Sequence, residues 1–205
     1  MANKEHNIKV NKGIIAKTLD WAYARAIGGL TGLDSAYELG NNYLQKKGTL
    51  EQQVDSLIKW QVAKAATSGF VTGLGGFAIL PLTIPANIAS VIYIQIRMIT
   101  AIAYMGGHDI RDDKVKSLVY ISMAGNGAKE LLKDISVKAG EKFLNKIIEK
   151  VSTKLATKIG EKGVASLGKA IPVAGGIIGG TFDGATTKVI GEVAKKIFIE
   201  DKQTN

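Results

Sequence analysis

The sequence contains no cysteine, which excludes disulfide bonds and thiol chemistry and is typical of a cytosolic protein. It contains only two histidines, His6 and His108, which argues against a metal site built from several histidines. Aromatic residues make up 6% of the chain and are not interleaved with basic residues, unlike those of surfaces that stack nucleic-acid bases. We therefore expect no metal, no cofactor and no nucleic-acid partner.

Acidic residues are scarce relative to basic ones, with 18 against 27, and the formal net charge is +9. Such a surplus favours an anionic partner, and without a base-stacking pattern a membrane face is the better candidate. The N-terminal residues MANKEHNIKVNKG are polar and lack the apolar core of a signal peptide. We therefore expect a cytoplasmic protein that meets a lipid or membrane surface.

The sequence also lacks an interdomain linker, since no segment rich in glycine, serine or proline separates one part of the chain from another. We predict one domain over residues 1–205, with a core over about 57–198 and disordered tails at 1–9 and 200–205. No stretch alternates apolar and polar residues between turns, as a half-buried strand would. The prediction is an all-α fold, a single helical domain built around a glycine-rich apolar helical pair.

Helix signals recur in the first part of the chain. An apolar side predicts a first helix over residues 10–27, and Asp34 or Ser35 can cap a second. Thr49 with Gln52 three residues later is a capping-box pattern, which predicts the start of a third helix.

The stretch from Ala65 to Gly107 is the part of the chain with the least charge, since no charged residue occurs between Lys64 and Arg97. A glycine-rich turn opens it, and a long helix is predicted from Pro85 to the glycine pair at its end. That helix would be roughly 33 Å long, enough to cross a bilayer.

Polar residues nevertheless recur on this helix at spacings of three and four, and this stripe comprises Asn87, Ser90, Tyr93, Arg97, Thr100 and Tyr104. We favour a core helix of a globular domain over a transmembrane span, because a lipid-exposed arginine is costly. The stripe would face water or a buried polar partner. Gln95 lies off the stripe and requires an internal hydrogen-bond partner.

A second glycine-rich helix is predicted from Pro172 to about Phe198. Glycine in a helix interior costs about 1 kcal/mol, so its repeated use predicts the close approach of a neighbour, here the element from Ser68 to Ile102. Asp183 lies in the line of small residues, and we predict a buried Arg97–Asp183 ion pair. In the alternative, Arg97 reaches water along the polar stripe and Asp183 caps a helix break.

A basic ribbon runs along residues 137–162, where lysine recurs every four residues beside a parallel apolar line. Docking on an anionic membrane surface is one interpretation, and a solvated face whose lysines pair with glutamates along the helix is the other. The candidate membrane-contacting lysines are Lys142, Lys146, Lys150 and Lys154.

Two stretches together resemble the EcsC protein family. They are GFVTGLGGFAILPLTIPANIASVIYIQIRMITAIAYMGGHD and, some sixty residues later, AIPVAGGIIGGTFDGATTKVIGEVAKKIF. The resemblance covers about Leu57 to Phe198. The family is named after a bacterial gene beside an ABC transporter operon and has no settled biochemical activity, so the resemblance implies a bacterial, mostly helical protein with a membrane connection.

These observations predict a non-enzymatic, membrane-associated protein at the inner face of the bacterial membrane, which binds lipid or another apolar ligand. The candidate ligand-binding residues are Phe70, Phe77, Pro81, Pro85, Tyr93, Arg97 and Asp183. One alternative is a protein that inserts into or permeabilises bilayers through residues 69–107 and 171–198. A second is a metal-dependent hydrolase that uses the His108–Asp109 region. The sequence leaves open whether the protein binds a protein partner or forms a homo-oligomer.

Overall fold

Of the residues that the computed structural model describes, 83% are helical and none forms a strand, which confirms the all-α prediction. The structure describes residues 11–66, 86–133, 141–167 and 175–201, and the side chains of these ranges except those of residues 66, 86–87, 141, 160–167 and 175–183. The helices described are α1 (Lys12–Gly28), α2 (Ala36–Leu44), α3 (Leu50–Ala66), α4 (Ala86–Met105), α5 (Asp113–Ser122), α6 (Ala128–Leu132), α7 (Glu141–Leu167) and α8 (Gly175–Lys195). A π-helical turn at Lys196–Glu200 follows α8 directly.

Side-chain caps begin the early helices where the sequence indicates. Ser35 is the N-cap of α2, and its backbone N–H donates to the Glu38 carboxylate at 2.7 Å to complete a capping box. Thr49 and Gln52 form the predicted capping box of α3, with the Thr49 backbone N–H donating to Gln52 Oε1 at 3.0 Å. Each box satisfies amide donors that a helix start leaves without partners.

Glycine ends α4, as predicted. Gly107 adopts a φ of 77°, a left-handed conformation that glycine reaches without a steric penalty. The His108 backbone N–H then donates to the Ala103 carbonyl at 3.1 Å, and that of Gly107 to the Tyr104 carbonyl at 2.8 Å. This pair of bonds is a Schellman motif, which fixes the direction in which the chain leaves the helix.

Helix α4 is the centre of the fold, and α1, α2, α3, α5 and α8 all pack against it. Every residue from Ile92 to Ala103 is buried. Its segment Ile88–Met105 is long and apolar enough to cross a membrane by length and composition, with a mean hydropathy of 1.6, and 83% of it is buried inside the structure. The polar stripe is therefore enclosed by α1 and α2 over most of its length, rather than exposed to water.

Helix α8 packs antiparallel along α3. Lys195 Nζ lies 2.6 Å from Asp55 Oδ1, and one turn further along, a Cβ on Gly191 would come within 2.8 Å of Ile58 Cγ2. The missing side chain at Gly191 thus permits the close approach that the glycines of this helix predict. Helix α8 also contacts α4, as expected, but its more extensive neighbour is α3, which the glycine pattern did not indicate.

Candidate functional site

A group of polar and aromatic side chains converges where α4 passes beneath α1 and the loop before α2. It consists of Trp21, Asp34, Lys64, Tyr93 and Arg97, which we call the Arg97 cluster. Tyr93 and Arg97 lie one turn apart on α4, and a spacing of four residues places them on the same face of a helix. Helix α1 supplies Trp21 and the last turn of α3 supplies Lys64.

Arg97 is the most unusual member of the cluster, because its side chain is only 1% exposed. Its Nη1 donates to the Asp34 backbone carbonyl at 3.1 Å, and its Cζ lies 5.5 Å from the centroid of the Tyr93 ring. Within the described ranges its Nε has no hydrogen-bond partner, and none of the ion pairs found there includes Arg97. A buried charge is usually balanced by an opposite charge, and the side chain of Asp183, the predicted partner, lies outside the described residues.

Tyr93 is fully buried between Trp21 and Arg97. Its ring centroid lies 5.9 Å from that of Trp21. Burial raises the pKa of the Tyr93 hydroxyl, and the positive charge of Arg97 opposes that rise. A side-chain hydrogen bond with Arg97 opposes the rise as well, although the hydroxyl has no partner of good hydrogen-bond geometry among the described residues.

Lys64 connects the buried part of the cluster to the surface. It is half-buried, and its pKa is lowered first by burial and then by the positive charge of Arg97, while the Asp34 carboxylate opposes the shift. Its Nζ also lies 5.8 Å from the ring centroid of Trp60, whose side chain is 55% exposed.

Gln61 lies one turn before Lys64 on α3 and is fully buried. Neither its amide nitrogen nor its amide oxygen has a hydrogen-bond partner within the described part of the chain. Gln95 is different, since its Nε2 donates to Thr187 Oγ1 on α8 at 3.0 Å. This contact confirms the prediction that Gln95 requires an internal partner.

The candidate ligand-binding residues divide into three groups. Tyr93 and Arg97 lie together in the core, as described above. Phe70, Phe77, Pro81 and Pro85 lie outside the described residues, and so does the side chain of Asp183. The Arg97–Asp183 ion pair therefore stays a prediction. The alternative in which Arg97 reaches water is wrong, because α1 and α2 cover this face of α4 and leave the side chain 1% exposed.

The basic ribbon lies on α7. Lys142 and Lys146 are exposed, while Lys150 and Lys154 are half-buried. Lys154 Nζ donates to Glu130 Oε2 of α6 at 2.9 Å. The opposite face of α7 is apolar and packs against α1 and α5, with Leu144, Ile147 and Val151 buried. The lysines therefore form a positively charged outer surface over a packed inner one.

Of the three glutamates of α7, Glu149 alone has a described side chain, so pairing of the ribbon with glutamates along the helix stays a prediction. Glu149 Oε1 accepts from Lys12 Nζ of α1 at 3.2 Å, an exposed contact between two helices rather than one along α7. The side chains of Glu141 and Glu161 lie outside the described set. The exposed lysines of the first two turns thus contribute an outward positive charge.

His108 and Asp109 each take part in the turn that follows α4. His108 Nε2 lies 3.1 Å from the Phe198 carbonyl, and its ring meets that of Phe198 edge-on with centroids 5.3 Å apart. Asp109 Oδ1 accepts from the Arg111 backbone N–H at 2.9 Å. Among the described residues no group of three or more histidine, cysteine, aspartate or glutamate side chains could hold a metal ion.

Three members of the Arg97 cluster were absent from the sequence-based prediction: Trp21, Asp34 and Lys64. One signal was available, because Lys64 is the last charge before the charge-free stretch and Arg97 is the first charge after it. Nothing local to Trp21 or Asp34 indicates a contact with α4, since each is far from α4 in sequence.

The fold and the cluster define an all-helical domain whose central helix carries a buried cation. The chain belongs to the EcsC protein family, whose model matches residues 34–199. This confirms the resemblance and extends it toward the N-terminus, so that α2 and α3 fall within the match. Comparison with curated proteins and with solved structures found no match.

Proposed function

We propose that this protein is a peripheral, non-enzymatic membrane protein of the bacterial cytoplasm that binds anionic lipid surfaces. The observation that carries the proposal is the row of lysines on α7, where Lys142 and Lys146 are exposed in the first two turns. The formal net charge of +9 adds a general attraction to anionic surfaces. Juxtaposed lysines near an anionic leaflet contribute about 1 kcal/mol each.

The packing of α4 favours peripheral binding over insertion. Its apolar surface is already occupied by five neighbouring helices, so entry into a bilayer would require α4 to leave the core that it forms. The alternative of a bilayer-inserting protein rests on the apolar window Ile88–Met105. Extraction of native membranes separates the two, because high salt or carbonate releases a peripheral protein and only detergent releases an inserted one.

The proposal does not extend to a hydrolase. Both members of the His108–Asp109 pair make contacts that fix the turn after α4, and a general base must be free to reach the proton it abstracts.

Vesicle flotation tests the proposal. The protein is mixed with vesicles of phosphatidylcholine alone, or of phosphatidylcholine with phosphatidylglycerol, at increasing salt. We expect binding to the anionic vesicles only, and weaker binding as salt rises, because exposed charges are screened beyond about 8 Å at physiological ionic strength. Equal binding to neutral vesicles, or none to anionic ones, would contradict the proposal.

The matched variants locate the contact. Changing Lys142, Lys146, Lys150 and Lys154 to glutamine should weaken binding by about 2 kcal/mol or more, roughly 30-fold, from the two exposed lysines alone. The control carries the same loss of charge at four exposed lysines of other elements, Lys47, Lys114, Lys188 and Lys196. If both variants lose the same affinity, net charge and not the α7 surface is responsible.

A further inference from the structure

The outward face of α7 is polar wherever its side chains are described. Most of its exposed residues recur at spacings of three and four, which places them on one face of the helix. They are Lys142, Asn145, Lys146, Glu149, Thr153 and Thr157. Between residues 142 and 159 no apolar side chain of α7 is exposed. The exposed large hydrophobic side chains of the described ranges lie on α2, α3 and α8, and they are Leu44, Trp60 and Val189.

The apolar residues of α7 are occupied by the core. Leu144, Ile147 and Val151 are buried, and the half-buried Phe143 and Ile148 pack against the same core. An amphipathic helix that enters a bilayer does so by burying its apolar face among the acyl chains. Because α1 and α5 already cover that face of α7, charge is the attraction to a bilayer that its outward face offers.

Helix α1 widens this surface. Lys12 lies at the start of α1, and its Nζ is 3.2 Å from Glu149 Oε1, with both side chains more than half exposed. Lys12 thus reaches the same face of α7 that carries Lys142 and Lys146. Two helices side by side present a broader surface than the ridge of one helix, and a broad surface suits a planar partner such as a layer of lipid headgroups.

Glu149 is the acidic residue of this face whose side chain is described. It lies three residues after Lys146, so the two side chains are neighbours on the helix, and it also holds Lys12 in an ion pair. An exposed ion pair of this kind contributes little to stability. Glu149 therefore lowers the positive charge of the surface without being required for the fold.

We propose that α7 and the start of α1 dock on the headgroup layer of an anionic bilayer by charge alone, without entering the hydrocarbon, and that Glu149 limits the affinity of this contact. The inference deepens the proposed function and rests on it, because it names the part of the lipid that is recognised and the residue that sets the strength of binding.

Charge variants test the role of Glu149. Glu149→Gln should bind vesicles containing phosphatidylglycerol about five-fold more tightly, and Lys12→Gln about five-fold more weakly, the effect of one charge near an anionic surface. Both should melt at the temperature of the unchanged protein. The control is Glu51→Gln, which makes the same change of charge at an exposed residue of the first turn of α3. Equal affinity of the two glutamine variants of glutamate would overturn the role of Glu149.

A spin label measures the depth of the contact. The chain has no cysteine, so a single cysteine can be labelled directly, at Asn145→Cys on the outward face of α7 or at Ser56→Cys, an exposed control site on α3. On anionic vesicles the label at 145 should lose mobility but stay accessible to a water-soluble nickel complex, while the label at 56 should not change. A label at 145 that becomes accessible to oxygen and inaccessible to nickel lies among the acyl chains, which would overturn docking by charge alone.

Duplex DNA tests whether the surface recognises any polyanion. We expect the vesicles to be bound more tightly than the duplex at the same salt, because a plane lets the lysines of both helices make contact at once. If the duplex binds as tightly as the vesicles and gains equally from Glu149→Gln, the assignment to lipid headgroups is overturned.

Failure of this inference and failure of the proposed function give different results. If the unchanged protein floats with anionic vesicles but Glu149→Gln has no effect beyond its control, or the label at 145 enters the hydrocarbon, the inference is overturned and the proposed function stands. If the unchanged protein does not bind anionic vesicles at all, both are overturned.

Discussion

Helix α4 buries polar side chains on two sides, and the two sides differ in how those side chains are satisfied. On the side facing α8, Gln95 donates to Thr187 at 3.0 Å and the two buried groups form a closed pair. On the side facing α1 and α2, Arg97 has one carbonyl partner and an aromatic ring, and its Nε has no partner among the described residues. A closed pair fixes the position of one helix against another, whereas a buried charge with few partners costs the fold stability.

The largest loss of stability should come from a change in the tightly packed contact between α3 and α8. Gly191→Leu should destabilise the protein by about 3 kcal/mol or more, at the upper end of overpacking, because a Cβ there already comes within 2.8 Å of Ile58. The midpoint of thermal unfolding measures this. Gly28→Leu is the control, since nothing lies within 4 Å of a Cβ at Gly28. Equal melting temperatures for the two variants would show that α3 and α8 separate freely.

Arg97→Met should act in the opposite direction. Replacing a poorly compensated buried charge by an apolar side chain of similar size is often neutral or stabilising by about 1–4 kcal/mol. The variant should therefore melt at the same or a higher temperature than the unchanged protein. The predicted Arg97–Asp183 ion pair requires the contrary result, a loss of about 3–5 kcal/mol when one partner is removed. In that case Asp183→Asn would show a matching, non-additive loss in a double-mutant cycle.

The closed pair itself should give an intermediate effect. Gln95→Leu leaves the buried Thr187 hydroxyl without the amide that now donates to it, and the expected loss is about 1–3 kcal/mol. Thr187→Val removes the other partner, so the double variant should be milder than the sum of the two. Chemical denaturation of all four proteins measures the coupling, and strictly additive losses would show that the pair contributes nothing specific.

Trp60→Ser should have the smallest effect on stability. The side chain is 55% exposed, and surface substitutions away from packed features usually stay within about 0.5 kcal/mol. The midpoint of thermal unfolding measures this effect. A large drop in the melting temperature would mean that Trp60 supports the core.

Local signals explain why so much of the fold could be predicted. The bounds of α4 follow from Pro85 before it and Gly107 after it. Proline fixes φ, and glycine readily adopts the left-handed conformation that ends a helix, whatever the rest of the fold is. The capping box at Thr49 is equally local. The need of Gln95 for a partner follows from helical periodicity, but the identity of that partner, Thr187, is separated from it by 92 residues and depends on tertiary packing.

The candidate site was predicted less completely for the same reason. Arg97 and Tyr93 stand out in the sequence as polar residues of an apolar helix. These two side chains are buried by α1 and by the loop that ends at Ser35. The pattern of polar residues in α4 does not indicate which other elements cover them. Lys64 and Arg97 belong to two helices, so the electrostatic effect of one on the other becomes visible only when α3 and α4 are placed side by side.

Helix α1 lies outside the residues that match the family but belongs to the same hydrophobic core. The family match begins at residue 34, yet α1 fills the groove over α4 with Ile15, Leu19 and Ala22, all fully buried, and also packs against α7. A chain trimmed to residues 34–199 would expose the apolar side of both helices to water. We expect such a fragment to aggregate on expression, and the N-terminal segment added as a separate peptide to restore its solubility.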